Sequence, residues 1–482
     1  MLYTAMLFGA LVACKGGGED TGALGGDTLV SDTEGVEATS PRVCTDGQYH
    51  LHVVWQDDRD GRYGVYYNRS GDAGASWMTG DVRLDDGEIG DAVNPVIACS
   101  GDTVHVVWED SRDGELENGN IYYARSTDNG SAWSANVALD ADPDGEAMSR
   151  SPAIAAAGDG VYVSWFDARN GAYDIYVNGS SDGGATWLTD PSRADTDDAG
   201  DAWSGSSVIA ADEDGTVIVA WEDLRDDFSK IYVNRSTDHG ATFAPADTQL
   251  STTDAVDSFA PRLLLSEGHA YVAWHDQVEV EARDVYLSHS SNSGEGWPSE
   301  PTRMESNQPG FFDAYYPSIA ANGARLHVAW QDNRSNGYDI YYRRSEDGGV
   351  TWQEEEVRLD MDGPGEAQSV DVKLDVYADD MVVAVWRDLR NDDEGVGFND
   401  LFYNFSEDGG GTWNNADLRI NGNEPGSSYA VDPWFLRNNT DLLFVWADGR
   451  FGSSDIFFTS LRLGEESTWT PPEDDEDSTD EG

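Results

Sequence analysis

The sequence predicts an all-β fold: an eight-bladed β-propeller of four-stranded antiparallel blades, closed by an N-terminal strand that completes the last C-terminal blade. Three observations lead there. The chain has 482 residues, beyond the ~250–300 at which a single ordinary core stops growing. An eight-residue word returns along it, and a second word built on Trp-x-Asp precedes each copy. The final unit runs short by one strand, while a spare strand stands near the start of the chain.

The second word reads VVWQDDR, VVWEDSR, VSWFDAR, VAWEDLR, VAWHDQV, VAWQDNR, AVWRDLR and FVWADGR. Its tryptophans are Trp55, Trp108, Trp165, Trp221, Trp274, Trp330, Trp386 and Trp446. They recur every ~53–60 residues, within the range that marks solenoids and propellers. Each unit divides into four short strand candidates. In the third unit these are PAIAAAG, then VYVSW, a loop with Asp-x-Arg, DIYVNGS, the octet, and a brief last segment; VALD and VRLD fill that place in other units. The second and third candidates are β-branched and aromatic, with Gly, Asp and Asn between them. No helix-period segment of useful length interrupts them. Four strands per unit, repeated radially, describe propeller blades. The eighth unit stops after its third strand, at Asp455–Ser460, and Asp27–Pro41 (DTLVSDTEGVEATSP) matches the ends of the other units. Pairing the two leaves no unpaired radial edge.

The propeller is expected over residues 27–463. Residues 1–14 end in Leu11-Val12-Ala13-Cys14 and read as a lipoprotein signal with lipid on the Cys14 sulfur, although no Lys or Arg precedes the apolar run. Residues 15–26 form a Gly-rich flexible tether, and residues 464–482 an acidic disordered tail. These segments place the protein in the cell envelope, as an outer-membrane lipoprotein or exported to the surface, touching the membrane only through Cys14. Cys44 and Cys99 then remain, either bridged or as two buried thiols.

The octets are SGDAGASW from Ser70, STDNGSAW from Ser126, SSDGGATW from Ser180, STDHGATF from Ser236, SSNSGEGW from Ser290, SEDGGVTW from Ser345 and SEDGGGTW from Ser406. Their chemistry is that of a tight turn. The carboxylates of Asp72, Asp128, Asp182, Asp238, Asp347 and Asp408 can accept backbone N–H bonds, glycine permits positive φ, and the Trp is expected to cover the hairpin. The word resembles the Asp box of the sialidase-like (neuraminidase superfamily) propellers and BNR-repeat proteins, and the resemblance runs over nearly the whole chain after the tether. In that family the turn joins third and fourth strands on the face away from the active site. It identifies a fold and not a reaction.

The formal charge of −63 argues against nucleic acid, whose binding needs clustered Lys and Arg, and against anionic lipid headgroups. It suits solubility, high salt, or divalent cations. Calcium is the cofactor to consider. Asp140, Asp142 and Asp144, followed by Gly145, carry the alternating oxygens of a calcium loop, and Asp195, Asp197, Asp198, Asp360 and Asp362 occupy related loops. His52, His105 and His327 share one repeat position, which indicates packing rather than zinc.

Function should lie where the repeat breaks. The Asp-x-Arg pair recurs in seven units and reads as an intra-blade lock. The residue after each tryptophan varies, giving Gln56, Glu109, Phe166, Glu222, His275, Gln331, Arg387 and Ala447. The inner strands open on Arg42, Arg262 and Trp434 where other units carry Val, Ala or Ser, and GFFDAYYP brings Tyr315 and Tyr316. Gln56, Phe166, His275, Gln331 and Trp434 are expected at a ligand-binding mouth. The resemblance implies that a working sialidase needs three arginines on the substrate carboxylate, a carboxylate-activated tyrosine and an acid/base residue. Arg42, Arg262 and Arg387, with Tyr315 or Tyr316 and Glu109 or Glu222, are the candidates. The family's Phe-Arg-Ile-Pro-like motif is absent, and Ser40-Pro41-Arg42-Val43 stands in its place. The leading expectation is a monomeric, surface-anchored binding module for an extracellular glycan or protein. The alternatives are an exo-acting sialidase-like glycosidase and an acidic surface-layer component.

Overall fold

The structure is a computed structural model. It describes residues 26–462 apart from short loop segments at 33–35, 48, 87–88, 113–118, 142–146, 252–254, 280–281, 378, 393–394 and 439–440. The expected signal with Cys14, most of the tether, the acidic tail, Asp142 and Asp144 all lie outside the described residues. Those described contain strands and turns only, and among them no helix is long and apolar enough to cross a membrane.

Eight four-stranded antiparallel sheets stand in a ring. Blade 1 runs outward through Thr39–Thr45, Leu51–Asp57, Gly64–Ser70 and Val82–Arg83. Blades 2 to 7 repeat it. Blade 8 takes Ala430–Arg437, Asp441–Asp448 and Asp455–Arg462, then receives Thr28–Leu29 from the start of the chain. Thr28 pairs with Phe458 and Leu29 with Phe457, as the strand count predicts. The second strands, such as Leu51–Asp57 and Val217–Asp223, are buried almost throughout because a blade covers each face. That is why they read as continuous apolar runs rather than alternating ones.

The core is eight apolar clusters, one per interface between neighbouring blades. Val53 and Trp55 meet Val445 and Phe458 across the closing interface, so blades 8 and 1 are packed like any other pair. The repeated tryptophans are all fully buried. Seven donate Nε1–H to the Asp two residues on, for example Trp55 to Asp57 at 2.9 Å and Trp221 to Asp223 at 2.9 Å. The same Asp grips the loop arginine: Arg59 to Asp57 at 2.5 Å, Arg225 to Asp223 at 2.6 Å, Arg390 to Asp388 at 2.5 Å. Each guanidinium lies on a third-strand ring, such as Tyr66 at 3.9 Å or Phe402 at 4.0 Å. The Asp-x-Arg pair is therefore the expected intra-blade lock.

In the octets, the Ser hydroxyl donates to the Asp and accepts the Gly N–H, as with Ser180, Asp182 (2.8 Å) and Gly184 (2.9 Å). Asp182 in turn accepts Thr186 N–H and hydroxyl, which holds its carboxyl down at about 2. The octet aromatic also reaches the neighbouring blade. Trp133 packs edge-on against Tyr67 of the preceding blade at 4.8 Å, Trp187 meets Tyr123 and Trp413 meets Tyr342 in the same way, while Trp352 donates to Gly349 of its own turn at 3.1 Å. Arginines of the preceding third strand donate to the box carbonyls, Arg69 to Asn129 and Arg235 to Ser293 among them. The octet thus ties blade to blade. Cys44 and Cys99 form a disulfide between the inner strands of blades 1 and 2, with 5.7 Å between their Cα atoms. His52, His105 and His327 are buried, each within hydrogen-bond distance of a tyrosine hydroxyl on its own blade, and burial pulls them down to about 4.

Candidate functional site

Every inner strand breaks register once, at a bulge whose left-handed residue has φ of 51 to 56°: Ser40, Asn94, Ser151, Ser206, Ala260, Tyr316, Asp371 and Asp432. The prolines expected to start these strands, such as Pro41 and Pro261, sit inside the bulge, and the strands begin earlier, at Thr39 and Asp257. Proline lacks an N–H, so a strand start and a bulge suit it equally, and sequence does not separate the two.

The bulge decides the fate of the residue after each tryptophan. Gln56 accepts the Asn94 N–H at 2.7 Å, Glu109 that of Ser151 at 2.6 Å, Glu222 that of Ala260 at 2.8 Å and Gln331 that of Asp371 at 2.8 Å. These four side chains are struts to the next blade. Glu109 also accepts Asn94 Nδ2 at 2.9 Å. In the other units Phe166 stacks edge-on against Tyr173, His275 faces a cavity, and Arg387 turns to Asp371, with Nε 2.7 Å from Oδ2. Arg387 is therefore held in an ion pair with Asp371, unlike Arg42 and Arg262.

Two residues past each bulge, the inner strands present a ring to the axis: Arg42, Val96, Ala153, Val208, Arg262, Ser318, Lys373 and Trp434. Lys373 is a member that sequence reasoning missed. Its unit has Val372 where Arg42, Arg262 and Trp434 follow proline, so the local marker is absent, though counting along the strand would have found it. Arg42 lies 5.0 Å and the Lys373 amine 5.3 Å from the centre of the Trp434 indole. Arg42 and Arg262 donate to the carbonyls of Pro41 (2.9 Å) and Pro261 (3.1 Å). None of the three cations has an ion-pair partner among the described residues. Burial lowers the pKa of both guanidinium groups, and burial, reinforced by Arg262 and Arg42, pulls Lys373 down to about 8. Arg262, Lys373 and Trp434 line a cavity of about 420 Å³ whose walls include Val208, Leu263 and Ile319.

A second cavity, of about 460 Å³, is lined by Glu222, Phe259, His275, Arg283, Tyr315 and Tyr316. Burial keeps the Glu222 carboxyl above its usual range and holds His275 neutral, at about 3. Arg283 pairs with Asp313 at 3.0 Å, and the Tyr338 hydroxyl donates to Asp313 at 2.7 Å. Among the described residues, neither Tyr315 nor Tyr316 is bonded to a carboxylate.

Acidic clusters occur at Asp174, Asp195, Asp197 and at Asp339, Asp360, Asp362. In each, one arginine nitrogen stands where a cation would. Arg193 reaches Asp174 at 3.2 Å, Asp195 at 2.8 Å, and Asp197; Arg358 reaches its three at 3.4, 3.3 and 3.2 Å. These are arginine locks, and they do not fit calcium. Asp140 is buried and accepts the Ile121 N–H at 3.1 Å.

Fold and site together define an eight-bladed β-propeller whose axial ring carries cations without direct ion pairs among the described residues. Residues 50–328 match the family described as BNR repeat-like domain, and the chain belongs to that family. No curated protein matches it in sequence. Among solved structures it is similar to the polysaccharide lyase Uly1, at 10% identity over 89% of this chain and 100% of that one, with a TM-score of 0.50. It is also similar to the NanB sialidase of Streptococcus pneumoniae (11% identity, 86% and 83%, TM-score 0.41) and to an alpha-L-arabinanase of Penicillium chrysogenum (15%, 66% and 94%, 0.39). At such identities the likeness is one of fold.

Proposed function

We propose that this protein is an exported, surface-anchored binding module that takes the carboxylated end of an acidic glycan into its axial cavity. The observation that carries the reading is the axial cluster in which Arg42 and Lys373 flank Trp434 and Arg262 lines the same cavity, none in a direct ion pair among the described residues, in a chain whose formal charge is −63. A buried cation left unpaired is costly, and a guanidinium fork matches a carboxylate. An indole beside it offers an apolar face to a sugar ring. The Cys44–Cys99 disulfide supports an oxidising compartment, in keeping with the lipobox reading of Cys14. The hydrolase alternative needs a third free arginine and an activated tyrosine. Against it stand the Arg387–Asp371 pair and the lack of a carboxylate on Tyr315 or Tyr316.

An array of neutral, sialylated and uronate-bearing glycans tests the reading, alongside a fluorogenic sialoside. Binding confined to carboxylated glycans, weakened about tenfold or more by Arg262→Ala, is the expected result. Turnover of the sialoside would establish the hydrolase instead, and an array without any carboxylate preference would end both readings.

A further inference from the structure

The sequence holds three lysines, Lys15, Lys230 and Lys373, against twenty-six arginines. The Asp-x-Arg locks and the two acidic clusters use arginine, and the buried Lys230 donates to the Ala255 carbonyl at 2.5 Å and faces Asp276 in the unit that lacks a lock arginine. Lys373 instead lines the axial cavity, and an amine has a capacity that a guanidinium lacks: it loses its proton and becomes a nucleophile.

We propose that Lys373 is a covalent carbonyl-binding site that forms a reversible imine with a 2-oxo acid held in the axial cavity. Three features of the cavity fit that ligand class. Arg262 lines the same space and Arg42 shares the Trp434 ring, so a carboxylate has guanidinium partners beside the amine. Most of the cavity wall is apolar, with Val208, Leu263, Ile319 and Phe435 beside the polar Ser318 and Asp375, which limits competing water. The charges facing Lys373 are Arg262 and Arg42 on one side of the balance and Asp371 and Asp432 on the other, and burial with the two arginines keeps the neutral amine accessible near pH 8. An adjacent cation and desolvation are the two means by which a lysine is activated toward carbonyls.

The step balances without a redox partner. The Nζ lone pair attacks the carbonyl carbon and a C–N bond forms. The carbonyl oxygen then leaves as water with the two amine protons, giving the imine. Hydrolysis reverses it.

The inference uses the same cavity as the glycan reading but not the same ligand, so either can fail alone: array binding reports one and covalent labelling the other. The probe is pyruvate with sodium cyanoborohydride on the full chain, read by intact mass and peptide mapping. The expected result is one stable adduct at Lys373, forming about tenfold or more faster than with acetone, which has no carboxylate. It should be slowed by Arg262→Ala and abolished by Lys373→Arg, with thermal unfolding confirming that both variants fold. Labelling of Lys15 or Lys230 at a similar rate, equal rates for pyruvate and acetone, or no adduct would each overturn the proposal.

Discussion

Arg450 and Asp27 are 423 positions apart in sequence and 2.8 Å apart in space. The pair is one instance of a repeated arrangement. In other blades the loop arginine reaches the carboxylate just ahead of the fourth strand, Arg225 to Asp247 at 2.9 Å and Arg390 to Asp417 at 2.7 Å. Asp27 also accepts the Gly422 N–H of the preceding blade at 2.7 Å, as Asp247 accepts Thr196 and Asp417 accepts Met361. The first described strand is therefore a full fourth strand, complete with its ion pair. Asp27→Asn, which weakens both bonds while Arg450 keeps Asp448, should cost about 1–3 kcal/mol. Denaturant midpoints measure it, and an unchanged midpoint would contradict the assignment.

Glycine in the octet serves two purposes at once. Gly130 has φ +76°, and a Cβ there would stand 1.7 Å from the Tyr67 hydroxyl of the preceding blade. Gly101 also has positive φ, +57°, but open space around it. Gly101→Ala should cost about 1–2 kcal/mol from backbone strain alone. Gly130→Ala should exceed about 3 kcal/mol because the blade interface must move. Equal costs would show that the octet glycine is a matter of turn geometry only.

The axial amine makes stability depend on pH in a set direction. With Lys373 at about 8 in the folded protein and its ordinary 10.5 in the unfolded chain, the unfolded state holds more protons between those values. Stability from this group therefore rises with pH across that window, and its penalty is fully present below about 8. Lys373→Met should stabilise the protein at pH 7, by up to about 3 kcal/mol, and the gain should shrink toward pH 10. A gain that is constant with pH would assign it to packing.

Reduction of the disulfide offers a separate handle. Cys44 and Cys99 close a 55-residue span, for which chain entropy gives about 4 kcal/mol. Cys44→Ser with Cys99→Ser should lower the unfolding midpoint accordingly, and a thiol reductant should then have no further effect.

Calcium should leave the wild-type unfolding temperature unchanged at the two acidic clusters, since Arg193 and Arg358 already occupy the point where a cation would sit. Arg193→Met removes the guanidinium and leaves Asp174, Asp195 and Asp197 facing one another. That variant should lose stability, and millimolar calcium should restore part of it. Calcium stabilisation of the wild type that disappears with Asp195→Asn would refute the lock.

The blade count and ring closure were legible because their signals repeat: eight Trp-x-Asp words, seven octets and one strand out of place. The site was legible only in part. Arg42, Arg262 and Trp434 stood out as breaks in the repeat, whereas Lys373 did not, because its unit lacks the proline that marks the position. Gln56 and Gln331 read as mouth residues and Glu109 as an acid/base candidate because sequence does not separate a strand start from the bulge that gives each side chain a backbone N–H to accept. Arg387 was counted as free for the same reason, since its partner Asp371 is itself a bulge residue.

Blade 8 stays one strand short until Thr28–Leu29 docks on it, and contacts that span so much sequence form slowly. During refolding, an unclosed arc offers the hydrogen bonds of Phe457 and Phe458 to any matching strand. The same segment of a second molecule satisfies them with identical register. Refolding at higher protein concentration should therefore raise the share of strand-exchanged dimers, and size-exclusion chromatography of the refolded protein checks it.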